Sequence, residues 1–123
     1  MHKPQGVNKM DDYILLFRID IITKEVQPTP EQMNEYMKQW DDWVSDIEAQ
    51  NKLVGGNHLS SEGKIVKSSD VVTDGPYVET KKSIVGYIII NAKDFDDAVQ
   101  IAKKCPILHG EGNSVEVRKV ESR

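Results

Sequence analysis

The sequence has little of several residue classes, and each scarcity excludes a class of protein. Its 123 residues include one cysteine, Cys105, so no disulfide can form within the chain, and this favours a reducing compartment. Nothing in the pattern marks that thiol as a nucleophile, and we interpret it as a packing residue. No segment approaches the roughly 20 apolar residues of a membrane-spanning helix, and the opening MHKPQGVNKM lacks the apolar centre of a secretion signal. We expect a cytoplasmic protein without membrane partners.

Basic residues are not in excess either. Sixteen Lys and Arg residues stand against twenty Asp and Glu residues, a formal charge of −4, and the two signs are interspersed. Direct binding to nucleic acid, which relies on a basic patch, is therefore not expected. The sequence has no His-x-x-x-His pair, no cysteine cluster and no phosphate-binding glycine loop, so we predict neither a metal site nor a cofactor.

Length and residue pattern predict one domain, residues 12–123, behind a flexible leader at residues 1–11. Runs of β-branched and aromatic residues predict strands at residues 13–20, 84–92 and 114–120, and a shorter strand within LVGGNHL. In that shorter strand, Gly55 and Gly56 lack Cβ atoms, which indicates unusual dihedral angles or a close backbone approach. The segment SSEGKIVKSSDVVTDG predicts a hairpin turned at Glu62 and Gly63.

Two helices have clear start signals. Thr29 is placed as the N-cap of the first helix, Pro30 fits its first turn, and Gln32 completes a capping box, with the helix ending near Asn51. The second helix is predicted within DFDDAVQIAKKCP, with Asp94 as its cap.

Seven apolar residues of the first helix recur at steps of three and four, so they share one face. They are Met33, Tyr36, Met37, Trp40, Trp43, Val44 and Ile47. Such a stripe normally packs on a sheet as core. Two tryptophans and two methionines are also typical of a ligand box, so both interpretations stay open.

The element order is strand, helix, strand, hairpin, strand, helix, strand. It predicts an α+β fold, a ferredoxin-like split β-α-β sheet with an inserted hairpin and two helices on one face. Strands this apolar also favour burial of the other face against a second copy of the sheet. We therefore expect a homodimer of the dimeric α/β-barrel type.

Several motifs carry a family resemblance. The segment TDGPYVETKKSIVGYIIINAKDFDDAVQIAKKCP and the later GNSVEVRKV resemble the YCII-related proteins, in the branch named for its Asp-Gly-Pro-Phe signature, the DGPF domain. The likeness covers most of residues 13–120. Its matching positions are Gly55-Gly56, Asp74-Gly75-Pro76, Glu79-Thr80-Lys81, Gly86-Tyr87 and Glu116-Val117-Arg118.

The resemblance implies a dimeric α/β-barrel type of fold and a bacterial cytoplasmic protein. Most relatives have no assigned reaction. Some look like small lyases that remove chloride from an aromatic ring with a His and Asp pair, whereas others are fused to sigma factors, which suggests a role linked to transcription. Fold alone does not confer either function on this chain.

The chain departs from the family pattern at three positions. Tyr77 replaces the signature Phe, Lys82 replaces a usual acid, and Val85 stands where the family often has a second glycine. In addition, none of its three histidines lies in the first strand or first helix, where we would look for the counterpart of the histidine in the lyase-like relatives.

Asp74 has two competing interpretations. A carboxylate in a concave site can act as a general base, particularly where burial raises a carboxyl pKa. Asp before Gly-Pro is also a strong turn former, since its side chain can accept a backbone N–H while Gly75 supplies permissive dihedral angles ahead of Pro76. The sequence leaves open whether this stretch is an active site or a corner.

Two further groups of polar residues share strand faces. In an extended strand after Pro76, Tyr77, Glu79 and Lys81 lie on one side, where they either bind an anionic or phenolic ligand or form a solvated edge. In the last strand, Glu116 and Arg118 share a face that we expect to look toward the dimer partner. Arg118 is there either an anion anchor or part of a salt bridge across the dimer.

Histidine is a natural proton carrier near neutral pH. His58 follows the two glycines on a strand and His109 lies in a Gly-rich loop, so either can reach a pocket.

We therefore hold two hypotheses. The first is a small-molecule cleft near the DGP stretch with cofactor-free acid/base chemistry of a lyase or isomerase type. The catalytic candidates are Asp74 and His58, and the ligand-binding candidates are Tyr77, Glu79, Lys81, Tyr87, Glu116 and Arg118. The second hypothesis is a non-catalytic dimeric module, whose working part is the dimer surface.

Overall fold

A computed structural model describes residues 10–20, 29–60, 62–68, 72–75 and 82–121. Within these ranges the chain forms six strands, two α-helices and one short 3₁₀ helix. In chain order they are β1 (Asp11–Asp20), α1 (Pro30–Ala49), β2 (Leu53–His58), β3 (Gly63–Val66), β4 (Val72–Gly75), β5 (Lys82–Ala92), α2 (Phe95–Ala102), the 3₁₀ helix (Pro106–His109) and β6 (Ser114–Lys119).

Four strands form the main sheet, in the order β2-β5-β1-β6. All three neighbouring pairs are antiparallel, although β1 and β2 are linked by a helix, as are β5 and β6. Each helical connection therefore skips over one strand, which defines a split β-α-β arrangement. The predicted α+β, ferredoxin-like fold is confirmed.

The core lies between this sheet and the two helices. Along β1 the alternation of side chains buries Tyr13, Leu15 and Phe17 on one face, where they meet the C-terminal half of α1 and the short helix α2. Trp43 fastens the two helices together, since its indole Nε1 donates a hydrogen bond of 3.1 Å to the backbone oxygen of Ile101.

Both predicted helix starts are confirmed. The Thr29 hydroxyl accepts a hydrogen bond from the Gln32 backbone N–H at 3.1 Å, and the Gln32 side-chain oxygen accepts one from the Thr29 N–H at 2.9 Å. Asp94 caps α2 by accepting from the Asp97 N–H at 2.8 Å. These bonds satisfy backbone donors that the first turn of a helix leaves without partners.

The hairpin differs from its prediction. Glu62 and Gly63 do not turn the chain, because Gly63 opens β3 and pairs with Gly75 of β4. Val66 instead pairs with Val72, so the connection of the hairpin lies within residues 67–71. Strands β3 and β4 form a two-stranded sheet of their own, separate from the main sheet.

The remaining boundaries are close to those predicted. The first strand begins at Asp11, two residues before the predicted start at Tyr13, so Asp11 belongs to the strand. Residues 1–9 of the predicted leader lie outside the described part of the chain. The loop predicted after α2 contains the 3₁₀ helix, which the sequence pattern did not indicate.

The two glycines of β2 have different surroundings. A Cβ atom added at Gly56 would lie 2.7 Å from the Ile88 Cα and still closer to the Tyr87 carbonyl oxygen, and the Gly56 φ of +157° is one that L-residues rarely adopt. At Gly55 an added Cβ would meet nothing within 4 Å. The predicted close backbone approach is therefore confirmed for Gly56 and not for Gly55.

We expect Gly56→Ala to lower the free energy of unfolding by about 2 kcal/mol or more, because the added methyl group forces β2 away from β5. Gly55→Ala is the matched control, and it should stay within about 1 kcal/mol of the parent protein. Urea unfolding followed by circular dichroism measures both. Equal losses of stability in the two variants would contradict the close contact.

Asp97 generates a prediction about pH. Its carboxylate accepts a hydrogen bond from the Lys93 N–H at 3.0 Å and lies 3.4 Å from the Lys52 Nζ. The backbone hydrogen bond, with a smaller contribution from the Lys52 charge, lowers the pKa of Asp97 below its ordinary value. A lowered pKa in the folded state means that the ionised group stabilises the fold above the unfolded-state pKa, and that this stabilisation is lost as pH falls through the folded-state pKa.

Asp97→Asn should therefore destabilise the protein at neutral pH, and the difference from the parent should shrink as the pH falls below the ordinary range of an aspartate and the parent carboxylate becomes protonated. Asp96→Asn removes the same charge from the same helical turn but neither of these two contacts. Urea midpoints across the pH range compare the two variants. A pH dependence shared by both would show that the helix charge, and not the Asp97 contacts, is responsible.

Candidate functional site

A cavity with a volume of about 790 Å³ lies on the helix-covered side of the sheet. Phe17, Ile19 and Val85 form its floor on β1 and β5. The N-terminal half of α1 forms one wall and the 3₁₀ helix with the loop after it forms another. This volume falls in the range of typical small-molecule sites.

The apolar stripe of α1 is divided between two roles: its C-terminal half packs in the core, and its N-terminal half lines this cavity. Trp40, Trp43 and Ile47 are buried, so the core interpretation is confirmed for the C-terminal half of the stripe. Met33 and Met37 both line the cavity and remain 43% and 42% exposed. Methionine adapts its shape to varied apolar partners, so this wall suits a ligand.

Trp40 is the centre of an aromatic cluster at the inner end of the cavity. Its ring lies edge-on to three others, and the ring centroids are 5.1 Å apart for Phe17, 6.2 Å for Tyr36 and 6.1 Å for His58. Tyr36 is half-buried in this cluster, and burial raises the pKa of its hydroxyl, an effect that its hydrogen bond with Trp40 partly opposes. The cavity therefore ends on ring edges that favour contact with another planar group.

The sheet register explains how His58 reaches this cluster. Gly86 of β5 is paired with Phe17 on one side and with His58 on the other, so these three residues form a row across three strands. A Cβ atom at Gly86 would lie 3.0 Å from the Asn57 carbonyl oxygen and 3.6 Å from the Phe17 ring. A side chain at Gly86 would therefore press on the β2 backbone and meet the Phe17 ring.

The polar groups of the cavity are uncharged side chains and two histidines. Gln32 and His58 lie on α1 and β2, and His109 and Asn113 lie at the 3₁₀ helix and the loop after it. Among the described residues, no Lys, Arg, Asp or Glu lines this cavity. The two histidines are the lining side chains of a type that enzymes use as general acids and bases.

Asn113 fixes the wall that carries His109. Its Nδ2 donates to the Ile107 carbonyl oxygen at 3.1 Å, and its Oδ1 accepts from the Asp20 backbone N–H at 2.9 Å. A side chain at Gly110 would collide with the Asn113 amide. Asn113 therefore ties the 3₁₀ helix to the end of β1, and Gly110 makes the room for it.

A second, smaller cleft of about 270 Å³ lies beside the first, under β2. Val44, Leu53 and Ile88 line it, and Gly55 and Gly56 border it. Three residues belong to the walls of both spaces, namely Phe17, Trp40 and His58. The aromatic cluster therefore stands between two adjoining cavities.

The structure does not bring all predicted site residues together. His58 lines both cavities on the helix-covered face. Tyr87 and Glu116 both pair with Leu16, and Arg118 pairs with Ile14. Ile14 and Leu16 alternate with the buried Leu15 and Phe17, so these side chains belong to the opposite, open face of the sheet. Tyr87 still borders the smaller cleft, next to His58, whereas Glu116 and Arg118 line neither of the two cavities.

On the open face, Glu116 is held by two arginines. Its Oε1 lies 2.5 Å from the Arg18 Nη1 and its Oε2 lies 3.4 Å from the Arg118 Nη1. The hydrogen bond from Arg18, followed by the charges of both arginines, lowers the pKa of Glu116. This placement agrees with the expectation that Glu116 and Arg118 look away from the helices.

The DGP stretch is described only in part. The backbone of Asp74 and Gly75 forms the end of β4, with Asp74 paired opposite Lys64. The Asp74 side chain and the whole of Tyr77, Glu79 and Lys81 lie outside the described part of the chain. Their proposed roles stay predictions.

Cys105 is a packing residue, as the sequence suggested. It is 1% exposed, and burial raises the pKa of its thiol to about 12. A thiol that stays protonated and inaccessible is a poor nucleophile.

Sequence patterns missed most of the cavity wall. Met33 and Met37 were recognised as part of a stripe, but periodicity cannot show which part of a stripe lines a cavity. Asn113 carried no signal of its own, because its role depends on contacts between distant elements. The segment HGEGN gave a weak signal for this part of the wall, because glycines beside a histidine indicate a loop that can border a site.

Neither a metal centre nor a membrane span is found among the described residues. No group of three or more His, Cys, Asp or Glu side chains is placed there to hold a metal ion. No helix in these ranges combines the length and the apolar character needed to cross a membrane.

Comparison with known proteins identifies the family. No curated protein matches the sequence significantly. The family model of the YCII-related domain matches residues 18–121, which is most of the chain and includes β1 from Arg18, both helices and β6. The chain therefore belongs to the YCII-related family.

Proposed function

We propose that this protein binds a small, mainly apolar molecule in the cavity between α1 and the sheet. The observation that carries the proposal is the cavity itself, about 790 Å³ in volume, with aromatic and methionine walls and a few polar groups. Mainly apolar clefts with a small number of polar side chains are the usual form of a ligand site. The lack of charged lining residues in the described part of the chain favours a neutral or singly charged ligand.

His58 is the group that we propose for proton transfer, if the bound molecule reacts. Its side chain lines the cavity, its backbone belongs to β2, and the centroid of its ring lies 6.1 Å from that of Trp40. A histidine held on a strand beside an apolar pocket can act as a general acid or base without a cofactor. Asp74 remains a second candidate for this role. Lyase or isomerase chemistry in a reducing cytoplasm is the reaction class that fits best.

A second proposal concerns the open face of the sheet, and its supporting observation is the apolar surface found there. Ile14, Leu16 and Ile89 lie side by side on β1 and β5 and are only partly covered, and Ile84 is 39% exposed. Beside them is the polar cluster of Arg18, Glu116 and Arg118. An apolar centre with a polar margin is typical of a protein interface. We propose that a second copy of the chain covers this face and forms a homodimer.

The cavity proposal is tested with Met37→Arg. A panel of uncharged phenols is titrated while intrinsic tryptophan fluorescence is recorded, because Trp40 lines the cavity. We expect at least one compound to bind the parent protein, and Met37→Arg to weaken that binding by about tenfold or more, since the new charge lies on an apolar wall.

Met10→Arg is the matched control for that variant. Met10 has a similar exposure, 39% against 42% for Met37, and does not line the cavity. The affinity of Met10→Arg for the same compounds should stay within about twofold of the parent value. If no compound in the panel binds the parent, or if the two variants lose affinity equally, the cavity is not the site.

The dimer proposal is tested with Leu16→Lys. Sedimentation velocity should show a dimer for the parent protein and a monomer for this variant, because a lysine at the centre of an apolar interface is buried without a partner. Leu108→Lys serves as the control, since Leu108 is 41% exposed in the 3₁₀ helix, on the helix-covered side. A monomeric parent protein, or a dimer that survives Leu16→Lys, would refute this interface.

A further inference from the structure

We propose that one ligand occupies both cavities, with a compact polar head in the larger one and a short unbranched apolar chain in the smaller one, so that Val44 sets the chain length that fits. The inference rests on the proposed ligand-binding function and adds to it the class of ligand and the residue that selects it. No sequence motif pointed to Val44 in this role.

The adjacency of the two spaces is the first support. Phe17, Trp40 and His58 line the cavity of about 790 Å³ and also the cleft of about 270 Å³. A molecule that contacts the His58 and Trp40 rings from the larger cavity is therefore already at the border of the smaller one. A single ligand that passes this border keeps apolar contacts along its whole length.

The chemistry of the small cleft is the second support. Its side-chain walls are Val44, Leu53 and Ile88, which are apolar. Asn57 and Tyr87 also border it, but they are paired with each other at a position whose side chains face the other side of the sheet. Because an unpaired polar group would be desolvated there at a cost, the cleft favours an alkyl chain over a polar substituent.

The chemistry of the large cavity fixes the other end of the ligand. Its polar side chains are His58, His109, Gln32 and Asn113, and the Asn113 amide is already bonded to Ile107 and Asp20. A hydroxyl or a single acidic group on the head can bond to a histidine there. A planar head also fits the ring edges of Trp40 and Tyr36. Para-alkylphenols combine these features and are suitable probes.

The experiment measures the affinity of phenol, para-ethylphenol, para-butylphenol and para-hexylphenol by tryptophan fluorescence. For the parent protein the dissociation constant should fall about fourfold with each added methylene until the small cleft is full, and then level off. Val44→Phe should abolish this dependence on chain length while leaving the affinity for phenol itself within about twofold, because Val44 lines only the small cleft.

Val85→Phe is the matched control. Val85 lines only the large cavity, and both valines are partly buried against the core, so the two substitutions add the same volume at comparable sites. Val85→Phe should weaken the binding of every phenol by a similar factor and keep the dependence on chain length. Val44→Ala enlarges the small cleft, so the dissociation constant should level off at a longer alkyl chain than in the parent protein. This variant tests the same inference if Val44→Phe does not fold.

The possible results separate this inference from the proposed function. If none of the phenols and no compound of the wider panel binds the parent protein, the ligand-binding function fails and this inference fails with it. If phenol binds but longer chains give no gain, the cavity binds ligands and only the two-cavity inference is wrong. A gain with chain length that persists unchanged in both Val44 variants would also overturn it, since the chain would then lie elsewhere.

Discussion

The contact between Phe17 and Trp40 is the interaction on which the rest of the structure depends. The two rings meet edge-on at 5.1 Å and join the central strand β1 to the middle of α1. On one side of this contact α1 packs against the sheet through Trp43 and Ile47 and forms the core. On the other side the helix and the sheet enclose the cavity. One aromatic pair thus contributes to stability and also forms the inner end of the site.

The sheet divides the candidate functional residues into two groups that work independently within one chain. His58 faces the helices and the cavities, whereas Tyr87, Glu116 and Arg118 belong to the open face. Alternation of side chains along a strand makes this division unavoidable, because neighbours in sequence point to opposite faces. The proposed ligand site and the proposed dimer face can therefore be tested by separate mutations.

Local patterns predicted the fold well, because they depend on neighbours in sequence. The capping box at Thr29 and Gln32, the cap at Asp94 and the alternation in β1 each involve contacts within a few residues. The hairpin was misplaced because Glu62-Gly63 is an acceptable turn sequence by itself, and only the pairing of β3 with β4 shows that the connection lies within residues 67–71. The cavity was missed because it depends on where α1, β5 and the 3₁₀ helix meet, which no local pattern contains.

Absent side chains, more than added ones, shape this site. Gly86 leaves room for the Phe17 ring and the β2 backbone, Gly56 lets β2 approach β5, and Gly110 makes room for the Asn113 amide. A larger residue at any of the three would move backbone or a hydrogen-bonded side chain, so these positions set the architecture. Val44 and Val85 instead border open space. Changes there alter the volume of one cavity at a time, so ligand preference can change while the fold is kept.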